Sequence, residues 1–181
     1  MASPSTLPEG VESVVAETDR LVLRRLTVED APFIFELVND ADWLRYIGDK
    51  GVRNLEDARR YIESGPMESY ARHGFGLFLV GRRPAGAPIG MCGLIRRDGL
   101  DDVDVGYAFL PRFRGCGYAV EAGGATLRFA RERAGLKRVV AITNPENARS
   151  IRVLEKLGFA FERLVRLTPE SHEVRLFGRG L

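Results

Sequence analysis

Hydrophobic and polar positions alternate through Arg20-Leu-Val-Leu-Arg-Arg-Leu26, a two-residue period that predicts a strand. Thr27-Val-Glu-Asp30 follows and resembles a capping box, with threonine at the N-cap and an acid three residues on. Phe33, Ile34, Leu37 and Val38 then fall on one face of a helix. A second helix is expected from Asn54, with acids in its first turn. It should stop near Gly65-Pro66, because proline cannot continue the hydrogen-bond ladder.

The middle of the chain changes period. Phe75 to Val80, Ile89 to Ile95 and Val103 to Leu110 are short apolar runs. The turn-forming segments Arg82-Arg-Pro-Ala-Gly86 and Asp98-Gly-Leu-Asp-Asp102 separate them, which predicts an antiparallel meander. The pattern then becomes strand, helix, strand. Val120, Leu127, Ala130 and Ala134 recur at helical spacing, and Gly135 suits a C-cap. Arg138 to Thr143 is rich in β-branched residues, Ala148 to Leu157 is helical, and Phe159 to Leu167 and Glu173 to Arg179 close the chain as strands. The sum is a mixed α/β (α+β) fold, a twisted and mostly antiparallel central sheet of about seven strands flanked by about four helices. Residues 1–12 read as a flexible tail and 13–181 as a single domain.

Composition narrows the partners. The 181 residues carry 27 basic and 25 acidic side chains, a net charge of +2 that gives no reason to expect direct binding of nucleic acid. Cys92 and Cys116 have no paired Cys/His spacing around them, so no metal site is expected, and free thiols are the expectation. Met1 to Gly10 lacks the basic and apolar regions of a signal peptide, and no apolar run approaches the ~20 residues that span a bilayer. A cytoplasmic protein without membrane contact is expected.

The most informative stretch is Phe109-Leu-Pro-Arg-Phe-Arg-Gly-Cys-Gly-Tyr-Ala119, where a strand gives way to a helix. Gly115 and Gly117 let a bound group approach the main chain closely. The first N–H groups of a helix lack intrahelical partners and favour phosphate, and Arg112 and Arg114 add charge beside them. The spacing is neither that of a Walker loop nor that of a dinucleotide fingerprint. A tight turn with two exposed arginines is the plainer alternative. A second segment, Asn144-Pro-Glu-Asn-Ala-Arg-Ser150, also follows a strand and opens a helix. Ordinary capping by Asn and Ser would explain it alone.

Together the two segments say more. Arg112-x-x-Gly115-x-Gly117, a helix, a strand, then Asn147-x-x-Ser150 and Leu154-Glu-Lys-Leu-Gly-Phe159 resemble the GNAT superfamily of acetyltransferases. Arg20-Leu-Val-Leu-Arg24 with Glu29-Asp30, and Val105-Gly106-Tyr107, resemble its RimJ/RimL-like branch, which contains the ribosomal-protein N-terminal acetyltransferases. The resemblance implies the GNAT fold, acetyl-CoA as co-substrate, and direct transfer of acetyl to an amine, either a protein N-terminus or a small molecule. It implies that Arg112, Arg114, Gly115, Cys116, Gly117 and Tyr118 hold the cofactor's pyrophosphate. Phe109 and Leu110 would pair with the pantetheine arm as a neighbouring strand would. Asn144, Asn147 and Ser150 would line the other side.

Many members carry a tyrosine four residues after the serine position as general acid, whereas this chain has Leu154 there. In the RimJ/RimL-like branch a serine at the position of Ser150 is the proposed acid, so the resemblance implies that Ser150 donates the proton. Asp104 is the expected base, with Glu121, His73, His172, Glu170 and Glu173 as weaker candidates. A backbone N–H near Phe109 or Leu110 could stabilise the oxyanion. Trp43 and Tyr46 are the candidate acceptor wall, with Tyr61 beside them. Related domains often pair, so a homodimer is an expectation. Two other readings stay open: a catalytically silent acyl-CoA sensor with the same fold, and a regulator that binds another nucleotide.

Overall fold

The computed structural model describes residues 13–181. The expected tail, residues 1–12, lies outside them. The first hairpin is β1 (Val14–Glu17) and β2 (Leu21–Arg24). Helices α1 (Ala31–Val38), α2 (Ala41–Tyr46), α3 (Leu55–Ile62) and α4 (Glu68–His73) follow. The meander is β3 (Leu77–Arg82), β4 (Ala87–Ile95) and β5 (Asp104–Phe109). The rest is α5 (Tyr118–Glu132), β6 (Arg138–Thr143), α6 (Ala148–Lys156), β7 (Ala160–Val165) and β8 (Val174–Gly180).

All eight strands form one sheet in the order β1-β2-β3-β4-β5-β6-β8-β7. Its pairings are antiparallel except β5 with β6. Helices cover both faces. Phe78 and Val80 pack with α5 and α6 residues such as Ala122 and Leu154, while the alternate residue Leu79 packs with Ile34 and Ile62 of α1 and α3. A strand buried on both faces reads as a continuous apolar run, which is why β3 and β4 show little alternation.

Three elements differ from expectation, the first being β1, an eighth strand ahead of the seven expected. The second helix does not end at Gly65-Pro66. It widens into a π-helical turn over Glu63–Met67 that contains Pro66, then continues as α4 until Gly74 adopts φ 75°. Proline lacks the N–H that a regular turn would need, so a local widening accommodates it without stopping the helix. The short α2 is also additional. Asp40 caps it by accepting from the N–H groups of Asp42 and Trp43 at 3.2 and 3.3 Å.

Candidate active site

The site begins where the sheet opens. β5 and β6 are in register at one pair, Asp104 with Val140, and beyond it they part. The N–H of Leu110 is bonded back to Ile89 of β4 at 3.0 Å. Strand alternation therefore turns the N–H groups of Tyr107 and Phe109 toward the gap. The gap widens into an open cleft of about 1480 Å³, lined by β5, the ends of β4 and β6, the start of α5, α6 and the α2–α4 region. That exceeds the usual volume of a small-ligand pocket, roughly 300–1,000 Å³, so there is room for two substrates.

One wall is the turn into α5. Gly115 and Gly117 adopt φ 76° and 83°, which glycine allows and side chains resist. A Cβ built at Gly115 would meet nothing within 4 Å, leaving the main chain open to approach. The first intrahelical bond runs from Glu121 N to Gly117 O at 3.1 Å, so the N–H groups of Tyr118, Ala119 and Val120 have no partner within the helix. Gly115, Gly117 and these three residues line the cleft. This is an anion cradle made of backbone, and it fits a pyrophosphate.

The arginines beside the cradle are already paired. The guanidinium of Arg114 donates to Phe109 O at 2.8 Å and Asp42 at 2.7 Å, and it also pairs with Asp40, the cap of α2. Arg112 pairs with Glu36 at 2.6 Å and lies outside the cleft lining. Two further expectations are corrected by position. Leu110 is 1% exposed with its N–H satisfied by Ile89, so it can offer neither a cofactor contact nor an oxyanion donor. Cys116 is exposed outside the lining, and its carbonyl accepts from Arg20 at 3.0 Å.

Across the gap, Asn147 caps α6 by accepting from the N–H of Ser150 at 3.1 Å. Asn144 Oδ1 accepts from Glu146 N at 2.9 Å. All three face the cleft. The cap fixes the first turn of α6 and holds the Ser150 side chain in place. Its Oγ lies 2.9 Å from the hydroxyl of Tyr107, which also donates to Ser150 O at 3.1 Å. Burial raises the Tyr107 pKa above the ordinary phenol value. Leu154 is buried in the core and takes no part. A phenol does reach Ser150, from Tyr107 on β5. Tyr107 stands in the sequence only as part of Val105-Gly106-Tyr107, and its contact with Ser150 spans 43 residues, which no local pattern announces.

Asp104 sits at the point where the strands part. It is 1% exposed. One oxygen accepts from Arg97 Nε at 2.9 Å, and the other from the N–H of Ile142 at 3.3 Å. Burial raises its pKa against the opposing pull of Arg97. The carboxyl thus joins the segment after β4 to β5 and β6 at the base of the gap. Glu121 pairs with Arg20 at 2.6 Å, His73 faces the cleft and His172 is absent from its lining. Trp43 and Tyr46 both line the cleft. Trp43 is 5% exposed and donates to Gly48 O at 3.1 Å, so the ring is wall and core together. Tyr61 is there too, and burial raises its pKa to about 12.

Among the described residues no cluster of His, Cys, Asp and Glu could hold a metal ion, and no helix is long and apolar enough to cross a membrane. Residues 20–160 match the family model of the acetyltransferase (GNAT) domain. The uncharacterized N-acetyltransferase YnaD of Bacillus subtilis is 29% identical over 145 residues, which cover 80% of this chain and 82% of the relative. A GNAT-family acetyltransferase from Bacillus anthracis superimposes with a TM-score of 0.74 at 26% identity, covering 91% of this chain and 96% of the other. RimL, a ribosomal alpha-N-protein acetyltransferase in complex with coenzyme A, shares the fold with a TM-score of 0.75 at 18% identity, covering 93% and 98%. With a sheet that opens beside a glycine-built cradle, and a family match that spans most of its length, this chain belongs to the GNAT acetyltransferase family.

Proposed function

We propose that the protein is an acetyl-CoA-dependent N-acetyltransferase acting on a primary amine. The observation that carries the reading is the parting of β5 and β6 directly beside the free N–H groups of α5. The cradle from Gly115 to Val120 would hold the pyrophosphate, and the open edge at Tyr107 and Phe109 would hold the pantetheine arm. Bound there, acetyl-CoA supplies an acetyl thioester.

The chain's own groups then have separate tasks. The N–H of Phe109, turned into the gap, is the backbone donor best disposed to oppose negative charge. Ser150 Oγ donates its proton to the departing thiolate while the Tyr107 hydroxyl turns its own proton from the Ser150 carbonyl onto Ser150 Oγ, and the proton lost by the attacking amine restores the pair. Asp104 serves as a strand pin, since its two oxygens are taken by Arg97 and Ile142. Arg114 ties the cradle to α2, so the acceptor wall and the cofactor wall are set together. The acyl-CoA sensor remains the second reading, favoured by Leu154. The Tyr107–Ser150 pair weighs against it by supplying a hydroxyl donor where that tyrosine is missing.

The test is thiol release from acetyl-CoA across a panel of amines, with a Gly115→Val variant as control. Release that requires both an amine and the intact cradle supports the transferase. Tight acetyl-CoA binding with no amine-dependent release supports the sensor.

A further inference from the structure

The charge of the cleft is uneven in a way that the cofactor does not explain. Four carboxylates line it, and each has an arginine partner: Asp42 with Arg114, Glu68 with Arg72, Asp104 with Arg97, and Glu146 with Arg45. The cationic side chains outnumber them. Lys50, Arg96, Arg152 and Lys156 line the cleft with no carboxylate partner among the described residues; the last two belong to α6, whereas Arg96 adjoins Arg97 in sequence and Lys50 is close enough to feel its charge. Arg96 donates to the carbonyl of Asp101 at 3.3 Å, which leaves its charge unbalanced.

Position separates this group from the phosphates of the cofactor. Arg96 and Arg97 follow the last residue of β4, Ile95, which pairs with Asp104 at the first residue of β5. The pyrophosphate cradle lies past the other end of β5, beyond Phe109. Six residues of antiparallel strand put these ends about 17 Å apart. The Tyr107–Ser150 pair lies between them, about 10 Å along the strand from Asp104. The cationic group is therefore on the acceptor side of the reacting centre.

From this arrangement, and resting on the transferase reading, we propose that Lys50, Arg96 and Arg97 form an anion subsite for the acceptor. The preferred substrate is a small amine that carries a carboxylate or a phosphate a few bonds from its nitrogen. Partial burial lowers the Lys50 pKa, as does the nearby Arg97 charge, and an anion bound between Lys50 and Arg97 would relieve that repulsion. Cationic polyamines and aminoglycosides would meet a positive wall with every lining carboxylate already paired.

Matched pairs of amines test this by calorimetry on the protein saturated with coenzyme A, so that binding is read without turnover. One pair is glutamate and glutamine 1-amide; the other is phosphoethanolamine and ethanolamine. The anionic member should bind roughly 10- to 100-fold more tightly. A Lys50→Glu substitution on its exposed loop should erase that ratio while the acetyl-CoA dissociation constant stays within about threefold, since the cradle is distant. A preference for the phosphate pair alone or the carboxylate pair alone identifies which anion is read. Equal binding of both members of each pair, or tighter binding of spermidine, overturns the subsite. A bound anionic amine that gives no thiol release from acetyl-CoA would sink the transferase reading while leaving the subsite standing.

Discussion

The hydroxyl of Tyr107 on β5 lies 2.9 Å from Oγ of Ser150 on α6, across the gap between the strands. Each group has a single proton, so the two hydroxyls act as one donor unit facing the cleft. Ser150→Ala should lower kcat by about 100-fold, the lower end of what a positioned proton donor contributes. Tyr107→Phe should lower it by about tenfold, and the double variant should be little worse than Ser150→Ala alone, because the residues share one task. Steady-state kinetics at saturating acetyl-CoA measures this. An unchanged kcat in Tyr107→Phe would reduce the tyrosine to a packing residue.

The same pair makes a statement about pH. Burial raises the Tyr107 pKa above the ordinary phenol value, so the folded protein keeps this donor protonated through neutral and mildly alkaline conditions. The acceptor amine, by contrast, must lose its proton before it attacks. The rate should therefore rise with pH through the amine's own pKa and hold to about pH 10, with no fall from loss of the phenolic proton. A descending limb below pH 9 that disappears in Tyr107→Phe would contradict this ordering.

Asp104 and Arg97 set the base of the gap. Removing the cation leaves a buried carboxylate with one backbone donor, from Ile142. Arg97→Ala should cost about 3 kcal/mol at pH 7, toward the low end for a broken buried pair because the arginine is 32% exposed. Burial already raises the Asp104 pKa, and without Arg97 it rises further. A carboxyl whose folded pKa exceeds its unfolded one favours folding below the unfolded pKa and loses that contribution as pH rises. The deficit of the variant should accordingly shrink toward pH 4 and grow toward pH 7. Urea melts at the two pH values, with Arg97→Ala compared to the Arg97→Ala, Asp104→Asn double variant, decide it. A deficit independent of pH would mean that the lost guanidinium packing matters more than the charge.

Local pattern accounts for much of what was legible in the chain. β6 is Arg138–Thr143, as its β-branched run predicts, and α6 starts at Ala148 after the Asn147 cap. The two glycines before α5 were readable because a positive φ at a helix start demands that residue type. What escaped was set by long-range pairing. Arg114 reads from its loop as a phosphate ligand, and its pairing with Asp40 and Asp42 at the start of α2 lies across 74 and 72 residues. Asp104 reads as a base from strand alternation, and its bonds to Arg97 and Ile142 come from the assembled sheet. Pro66 looked like a helix stop because propensity does not register a π-helical turn. The parting of β5 and β6 is itself a property of the assembled sheet, and periodicity carries no trace of it.

The cradle makes a conformational prediction. Gly115 has φ 76°, a region that costs a β-branched residue roughly 1–2 kcal/mol or more. A Cβ there would meet no protein atom, so the fold should survive Gly115→Val with a modest loss of stability. The added side chain and the shifted backbone would occupy the surface where a phosphate must come close. Acetyl-CoA affinity should fall by more than tenfold while the melting temperature falls by only a few degrees. Calorimetric titration beside a thermal melt separates the two. Unchanged affinity would move the pyrophosphate away from this turn.

Arg114 offers the sharpest test of how the two walls are joined. Its Nε holds Phe109 O, and its terminal nitrogens hold Asp42 and the α2 cap Asp40. Only a planar fork can reach a carbonyl and two carboxylates at once, so Arg114→Lys should fail to replace it. Phe109 ends the open edge of β5, and α2 carries Trp43 and Tyr46. Loosening the fork should therefore disturb both substrates. KM for acetyl-CoA and KM for the amine should each rise severalfold in Arg114→Lys, with stability reduced by about 1–2 kcal/mol. Asp40→Asn should raise the amine KM in the same direction, since it weakens the fork from the α2 side. If Arg114→Lys raised only the acetyl-CoA KM, and Asp40→Asn raised neither, Arg114 would be a plain phosphate ligand and the coupling between the walls would be absent.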